Sequence, residues 1–311
     1  MPIIVPKGLP AFDILKDENV FVINEVRAQS QDIRPLEIAI VNLMPTKEVT
    51  ETQLIRLLAN TPLQVNLKLL TMDSHDSKNT KKEHMENFYD SLEGIRNQRY
   101  DGMIITGAPV EFLPYDEVDY WKELSEIMDY SLDNVFSVLH ICWGAQAALY
   151  HHYGIDKYVL SEKLFGVFPH LLKDKKSELM RGFDEVFYAP HSRHTQVRKG
   201  DVLKIPNLKI LAESDIAGPH IISSLDNRMI FVQGHAEYDK DTLRLEYERD
   251  VKKGLDIKVP VNYFKNDDPA EDVMVRWRGH ANLFFANWLN YVYQETFYDL
   301  SRLDELRRNN I

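Results

Sequence analysis

The chain's one cysteine, Cys142, stands where an apolar run meets a small-residue run: Val138-Leu139-His140-Ile141-Cys142-Trp143-Gly144-Ala145-Gln146. A nucleophile between a buried strand and a helix, with glycine two positions on, is the cysteine form of a nucleophile elbow. Such a turn projects the sulfur from the strand end, while the helix N-terminus favours thiolate and the next backbone N–H, that of Trp143, can receive an oxyanion. A thiolate nucleophile needs a base, and the base needs an orienter. His235-Ala236-Glu237 offers both on one loop after an apolar run. Alone, Cys142 reads as a buried structural thiol and His235 as one of eleven histidines. Together they point to covalent catalysis with Cys142, His235 and Glu237 as the catalytic set.

Gly107-Ala108-Pro109 follows another apolar run and is the candidate second wall of an oxyanion site, since glycine at a strand end lets backbone N–H groups turn inward. Ala108 keeps its N–H; Pro109 has none. An ordinary strand-to-helix turn would carry the same residues. Lys47, beside Asn42-Leu43-Met44-Pro45, could neutralise an anionic intermediate or simply be solvated in a first helical turn. His191-Ser192-Arg193-His194 has closely spaced potential ligands, but no Asp or Glu completes a familiar metal pattern and one cysteine cannot build a thiolate zinc site, so no metal is expected.

These residues need a scaffold that brings them to one edge. Leu36 to Val41, Val65 to Leu70, Met103 to Thr106 and Val135 to Ile141 are apolar runs of strand length, separated by helical patterns. Thr46 is the expected cap of the first intervening helix, Thr80 and Glu83 form a capping-box pattern for the second, and Tyr120, Leu124, Ile127 and Met128 mark the third. This β-α-β-α order predicts an α/β fold: a mostly parallel sheet with helices on both faces and chemistry at the C-terminal strand ends. Further on, β-like runs at 165–171, 185–189 and 208–212 precede a predicted hairpin, His220 to Ser224 and Met229 to Val232, turning through Leu225-Asp226-Asn227-Arg228. Helices are expected from about Lys240 to Lys253 and from Asn282 to Tyr293. One α/β unit over 1–300 and a charged tail over 301–311 complete the expected organisation.

Composition excludes whole classes. Charged residues are 27% and apolar residues 44% of the chain, which rules out disorder as a description of the whole. A net charge of −11 supplies no basic field, so neither nucleic acid nor an anionic membrane is an expected partner. The 134–155 stretch lacks Asp, Glu, Lys and Arg, yet its histidines, Gln146 and Gly144 divide it into strand, turn and helix rather than a membrane span. Residues 1–10, with three prolines, do not read as a secretory signal, and a lone cysteine suits the cytoplasm.

The motifs resemble those of a known family. Cys142-x-Gly144-x-Gln146 followed by His235-x-Glu237 resembles the class I glutamine amidotransferase fold, a flavodoxin-like architecture. NLMPTK at 42–47, TGAPVE at 106–111, HICWGAQAALYHHYG at 140–154, PHSRHT at 190–195, GHAEYD at 234–239, EYERD at 246–250, NYF at 262–264 and FFANWLNYVYQET at 284–296 resemble the homoserine O-acyltransferases of methionine biosynthesis. The resemblance runs to about Leu300; Phe297 stands where proline is expected in that family.

The resemblance implies acyl transfer from a CoA thioester to the hydroxyl of L-homoserine through a Cys142 acyl-enzyme, with no cofactor beyond the acyl-CoA substrate, and a homodimer. By position in their motifs, Lys163, Ser192 and Arg249 resemble homoserine-contacting residues, Arg249 gripping the α-carboxylate through paired bonds. Without the resemblance, Arg249 reads as a surface partner of Glu246. Glu111 matches the position associated with donor choice: glutamate there resembles acetyl-CoA users, glycine succinyl-CoA users. A carboxylate would fill the space of a longer acyl chain and repel succinyl's distal charge. The expectation is therefore homoserine O-acetyltransferase. The alternatives are the succinyl-CoA enzyme, a glutamine amidotransferase, which would want an ammonia-consuming partner, and a binding scaffold with a spent site.

Overall fold

A computed structural model describes residues 3–4, 8–17, 22–23, 34–74 and 80–305. Its strands are β1 Ile3–Ile4, β2 Val22–Ile23, β3 Leu36–Val41, β4 Val65–Leu70, β5 Tyr89–Asp90, β6 Tyr100–Ile105, β7 Val135–Ile141, β8 Tyr158–Leu172, β9 Val186–Gln196, β10 Leu208–Ser214, β11 Gly218–Ser224 and β12 Met229–Val232. Its helices are α1 Pro10–Asp17, α2 Lys47–Leu58, α3 Lys82–Phe88, α4 Leu92–Ile95, α5 Trp121–Asn134, α6 Trp143–Tyr153, α7 Lys199–Val202, α8 Thr242–Lys252 and α9 Arg278–Glu295.

All twelve strands join one sheet in the order β2-β1-β4-β3-β6-β7-β12-β11-β10-β8-β9, with β5 beside β4. From β2 to β12 neighbours run parallel, and from β12 to β9 antiparallel. The run β4-β3-β6-β7-β12 is the doubly wound flavodoxin-like order, and its chain reversal lies between β3 and β6. Period-two alternation divides the core into two layers. Ile38 and Ile40 pack with α2 and α9, whereas Ala39 and Val41 face α5 and α6. Helices thus cover both faces, as the β-α alternation requires.

The charge-free 134–155 stretch is β7, the Cys142 turn and α6, and among the described residues no helix is long and apolar enough to cross a membrane. The hairpin turn at 225–228 forms where expected, with Asn227 in the left-handed region at φ 56°.

Three local expectations are corrected. Thr46 occupies the position before α2, but its side chain makes no capping bond. The Thr80–Glu83 capping box does not form: α3 starts at Lys82, and the Thr80 hydroxyl donates to the Pro45 carbonyl at 3.4 Å. β6 begins at Tyr100 rather than Met103, because Asp101 interrupts the apolar pattern and yet is buried. Arg34 donates to it through both terminal nitrogens at 2.9 and 2.8 Å, and the Glu37 N–H at 2.7 Å.

The charged 301–305 segment is docked: Leu303 is buried, and Arg99 holds the Leu300 and Ser301 carbonyls and Asp304. The rest of the expected tail, and residues 1–2 and 5–7 of the segment read for a signal, lie outside the described residues.

Candidate active site

Cys142 ends β7 and precedes α6 with φ 52° and ψ −116°, a left-handed backbone held in a non-glycine residue. The fold over-determines it. Its N–H donates to the Val232 carbonyl at 2.7 Å, and its carbonyl accepts from the Gln146 N–H at 3.1 Å. Gly144 lets α6 press on β6, since a Cβ there would sit 2.5 Å from the Thr106 carbonyl oxygen. As the first residue of α6, Trp143 has a backbone N–H without an intrahelical acceptor.

β12 runs parallel to β7 and delivers His235 to the same edge. His235 Nδ1–H donates to Glu237 Oε1 at 2.7 Å, and Cys142 acts on the same imidazole as a second electrostatic partner. Both His235 and Glu237 are buried. Burial disfavours the charged imidazole, but Cys142 and Glu237 on either side outweigh it and hold the pKa well above the usual histidine range. Tyr238 stacks on the imidazole, ring centroids 4.1 Å apart and 13° from parallel. The Gly107 loop closes the opposite wall: a Cβ on Gly107 would lie 3.3 Å from Cys142 Cβ and 3.7 Å from His235 Cε1. Ala108, next to it, is buried.

The residues singled out by resemblance gather on a second carboxylate that sequence reading had seen only as an Arg249 partner. Lys163 on β8 donates to Glu246 Oε1 at 2.6 Å, and Ser192 on β9 donates to both Glu246 oxygens at 2.9 Å. Arg249, one turn along α8, is half exposed and pairs with Asp250 at 2.7 Å, its distance to Glu246 being 3.6 Å. Asp250 thus takes the Nε and Nη2 edge of the guanidinium that was expected to grip a ligand carboxylate. EYERD puts residues 246, 249 and 250 on one helical face, a spacing from which the hub was readable.

Glu111 is not a solvent-facing loop carboxylate: its Oε2 accepts the His194 backbone N–H at 3.0 Å, two residues along β9 from Ser192.

Lys47 departs from expectation. It is buried, donates to the Asn42 carbonyl at 2.5 Å and lies 5.3 Å from the Tyr89 ring centre, with no hydrogen bond to the catalytic set among the described residues. Burial lowers its pKa to about 8 against the pull of Glu51. Its pocket is a buried network in which Tyr89 donates to Glu51 at 2.5 Å and His84 Nε2 lies 3.0 Å from the same carboxylate.

Two features went unread in the sequence. Strand alternation on β9 turns His191, Arg193 and Thr195 inward, and His191 meets His170 and His220, ligand atoms within 4.8 Å of one another. Arg193 Nε donates to His191 Nδ1 at 3.4 Å, which leaves the proton of neutral His191 on Nε2, facing His170 Nε2 at 3.0 Å. His191 and His170 share that hydrogen bond while His220 packs tilted against both rings, and a protonated inner nitrogen on His191 is a poor match to a metal's demand for free lone pairs.

Among solved structures the fold resembles a glutamine amidotransferase from Thermotoga maritima, with a TM-score of 0.55, 10% identity, and coverage of 84% of this chain and 99% of that one. The glutaminase domain of Trypanosoma brucei CTPS, with bound acivicin, is similar at a TM-score of 0.51 and 12% identity, covering 84% of this chain and 95% of that one. Among curated relatives, a homoserine O-acetyltransferase of Clostridium novyi (strain NT) is 60% identical over 300 residues, 96% of this chain and 99% of that protein. One of Brevibacillus brevis is 60% identical over 302 residues, 97% and 99% of the two chains. The family model described as homoserine O-succinyltransferase matches residues 2–298. An elbow cysteine backed by a His–Glu pair, on an amidotransferase-type sheet and with that match over almost the whole length, places this chain in the homoserine O-succinyltransferase family.

Proposed function

We propose that this protein is a homoserine O-acetyltransferase that carries the acetyl group on Cys142. The observation that bears most of the weight is the line Cys142–His235–Glu237 at the elbow. The Cys142 sulfur attacks the acetyl-CoA carbonyl, a carbon–sulfur bond forms, and the bond to the CoA sulfur breaks. A protonated His235 gives its proton to the departing CoA thiolate, which a raised pKa favours. The now neutral His235 then takes the hydroxyl proton of homoserine as that oxygen attacks the thioester, and Cys142 leaves as thiolate. The N–H of Trp143 and the Ala108 loop are the expected donors to the tetrahedral oxyanion.

Lys163, Ser192, Glu246 and Arg249 supply cations, a hydroxyl and a carboxylate within one cluster, a set that matches the two charged groups of an α-amino acid. Donor choice is assigned to Glu111, whose pinned carboxylate disfavours a second negative charge on the acyl chain. The relatives at 56 to 60% identity, all named homoserine O-acetyltransferase, support the acetyl reading over the succinyl one. Thioester exchange of this kind needs no resident cofactor. A cytoplasmic homodimer completes the proposal, and sedimentation of the purified protein tests its oligomeric part.

The deciding experiment is CoA release with L-homoserine, comparing acetyl-CoA, succinyl-CoA and Cys142→Ala. Turnover with acetyl-CoA that disappears in the variant is the expected result. Preference for succinyl-CoA would remove the Glu111 argument, and turnover in Cys142→Ala would remove the acyl-enzyme.

A further inference from the structure

Among the described residues Arg193 is a buried cation that forms no salt bridge. Its exposure is 1%, and its three nitrogens donate to neutral acceptors: Nε to His191 Nδ1 at 3.4 Å, Nη1 to the Thr195 carbonyl and Nη2 to the Ala217 carbonyl, both at 2.6 Å. Burying a charge without a salt bridge is costly. The chain accepts that cost beside its elbow. The Thr195 carbonyl that holds Nη1 also accepts from Gln146 Nε2 at 3.2 Å, and the Thr195 hydroxyl donates to Gln146 Oε1 at 2.7 Å. Gln146 is one turn past Cys142 on α6, so the guanidinium is braced against the helix that the nucleophile caps.

We propose that Arg193 is a positioning residue for the nucleophile, a fixed buried positive charge whose missing counter-ion is the Cys142 thiolate. This rests on the reading of Cys142 as the nucleophile.

The groups facing the pair come from five elements. His191 lies on the same strand, His170 on β8, His220 on β11, Glu111 after β6, and His235, Glu237 and Tyr238 after β12. Burial keeps His170, His191 and His220 neutral, Arg193 pressing in the same direction, and burial likewise keeps the Tyr238 phenol protonated. The anions that interact with Arg193 are Cys142 and Glu111, and both oppose the loss of its proton that burial would favour. Glu111 is already engaged by the His194 N–H. The Cys142 sulfur is the charge that forms and disappears during the reaction, and the fixed cation favours its formed state.

The chain's one cysteine makes this measurable directly, because the ultraviolet absorbance of thiolate, less that of Cys142→Ala, reports one sulfur. The midpoint of that absorbance against pH is recorded, with no acyl donor present, for the native protein, R193K, R193Q and R193M. Removing the charge in R193Q or R193M is expected to move the midpoint upward by about one pH unit or more, while R193K stays within a few tenths of the native value. Thermal melting identifies which of the two neutral variants is folded at the pH of measurement. A packing role alone would destabilise the variants and leave the midpoint of a folded R193Q or R193M where the native one is, and that result overturns the proposal. The nucleophile reading fails on a different observation, acetyl transfer surviving in Cys142→Ala.

Discussion

His235 stands between two acidic groups, and that placement fixes how activity should respond to pH. Cys142 and Glu237 hold the folded pKa above the ordinary value in spite of burial, which favours the protonated imidazole that the first half-reaction needs as its acid. That acid is lost as pH rises through the raised pKa, so kcat/KM for acetyl-CoA should fall on the alkaline side. Glu237→Gln removes one of the two raising charges; its alkaline limb should move to lower pH and its rate drop by about 10²-fold or more, readable in a pH series of CoA release. Glu111→Gly should raise succinyl-CoA turnover relative to acetyl-CoA by at least about tenfold, and an unchanged ratio would detach Glu111 from donor choice. At this scale the grouping of Cys142, His235 and Glu237, which the structure brings together, was legible because it is carried by two short motifs. Arg193 went unread, and of the Glu246 hub only the α8 face was readable, since that carboxylate meets Ser192 and Lys163 only after distant strands pair.

The elements translate those residues into geometry, and the elbow shows where two effects compete. Gly144 lies inside α6, where alanine would favour the helix by about 1 kcal/mol. A Cβ would however stand 2.5 Å from the Thr106 carbonyl and 3.0 Å from that of Ile105, both backbone atoms of the adjacent strand end. The clash should win: Gly144→Ala is expected to lose about 1–3 kcal/mol in urea unfolding, and much of its activity as α6 shifts away from the sheet. A variant as stable as the native protein would show that the contact yields. The parallel strands β3, β4, β6, β7 and β12 were legible because, buried on two faces, they read as continuous apolar runs, with β7 and β12 delimited to the residue, whereas the two-residue strands β1, β2 and β5 were not. The antiparallel strands were less so. β8 spans 158–172 and β9 186–196, longer than their apolar stretches, because polar residues such as Lys163, Ser192 and Arg193 serve the site from within them.

Taken as a whole, the molecule hides histidines that it keeps uncharged. Burial lowers His140 and His170 to about 3 and puts His191 and His220 well below the usual value. A depressed folded pKa contributes stability that is fully present above the unfolded value near 6.5 and is lost as pH falls toward the folded one. The unfolded chain therefore gains protons first, and each histidine adds a slope approaching about 1.4 kcal/mol per pH unit. The urea midpoint should fall steeply from about pH 6.5 downward; a flat profile to pH 5 would mean that these rings reach solvent. Asp101 tests a second buried charge: Asp101→Ala strands Arg34 and the Glu37 N–H and should cost about 3 kcal/mol, the lower end for a broken buried pair because Arg34 keeps some solvent. The mixed sheet also sets an order of assembly. Cys142 follows β7, one strand short of the end of the parallel run, and His235 follows β12, so β8, β9, β10 and β11 stand between nucleophile and base along the chain. A chain still emerging from the ribosome carries its thiol without its base. On that order the proposed nucleophile exists in the growing chain before either of the groups proposed to activate it.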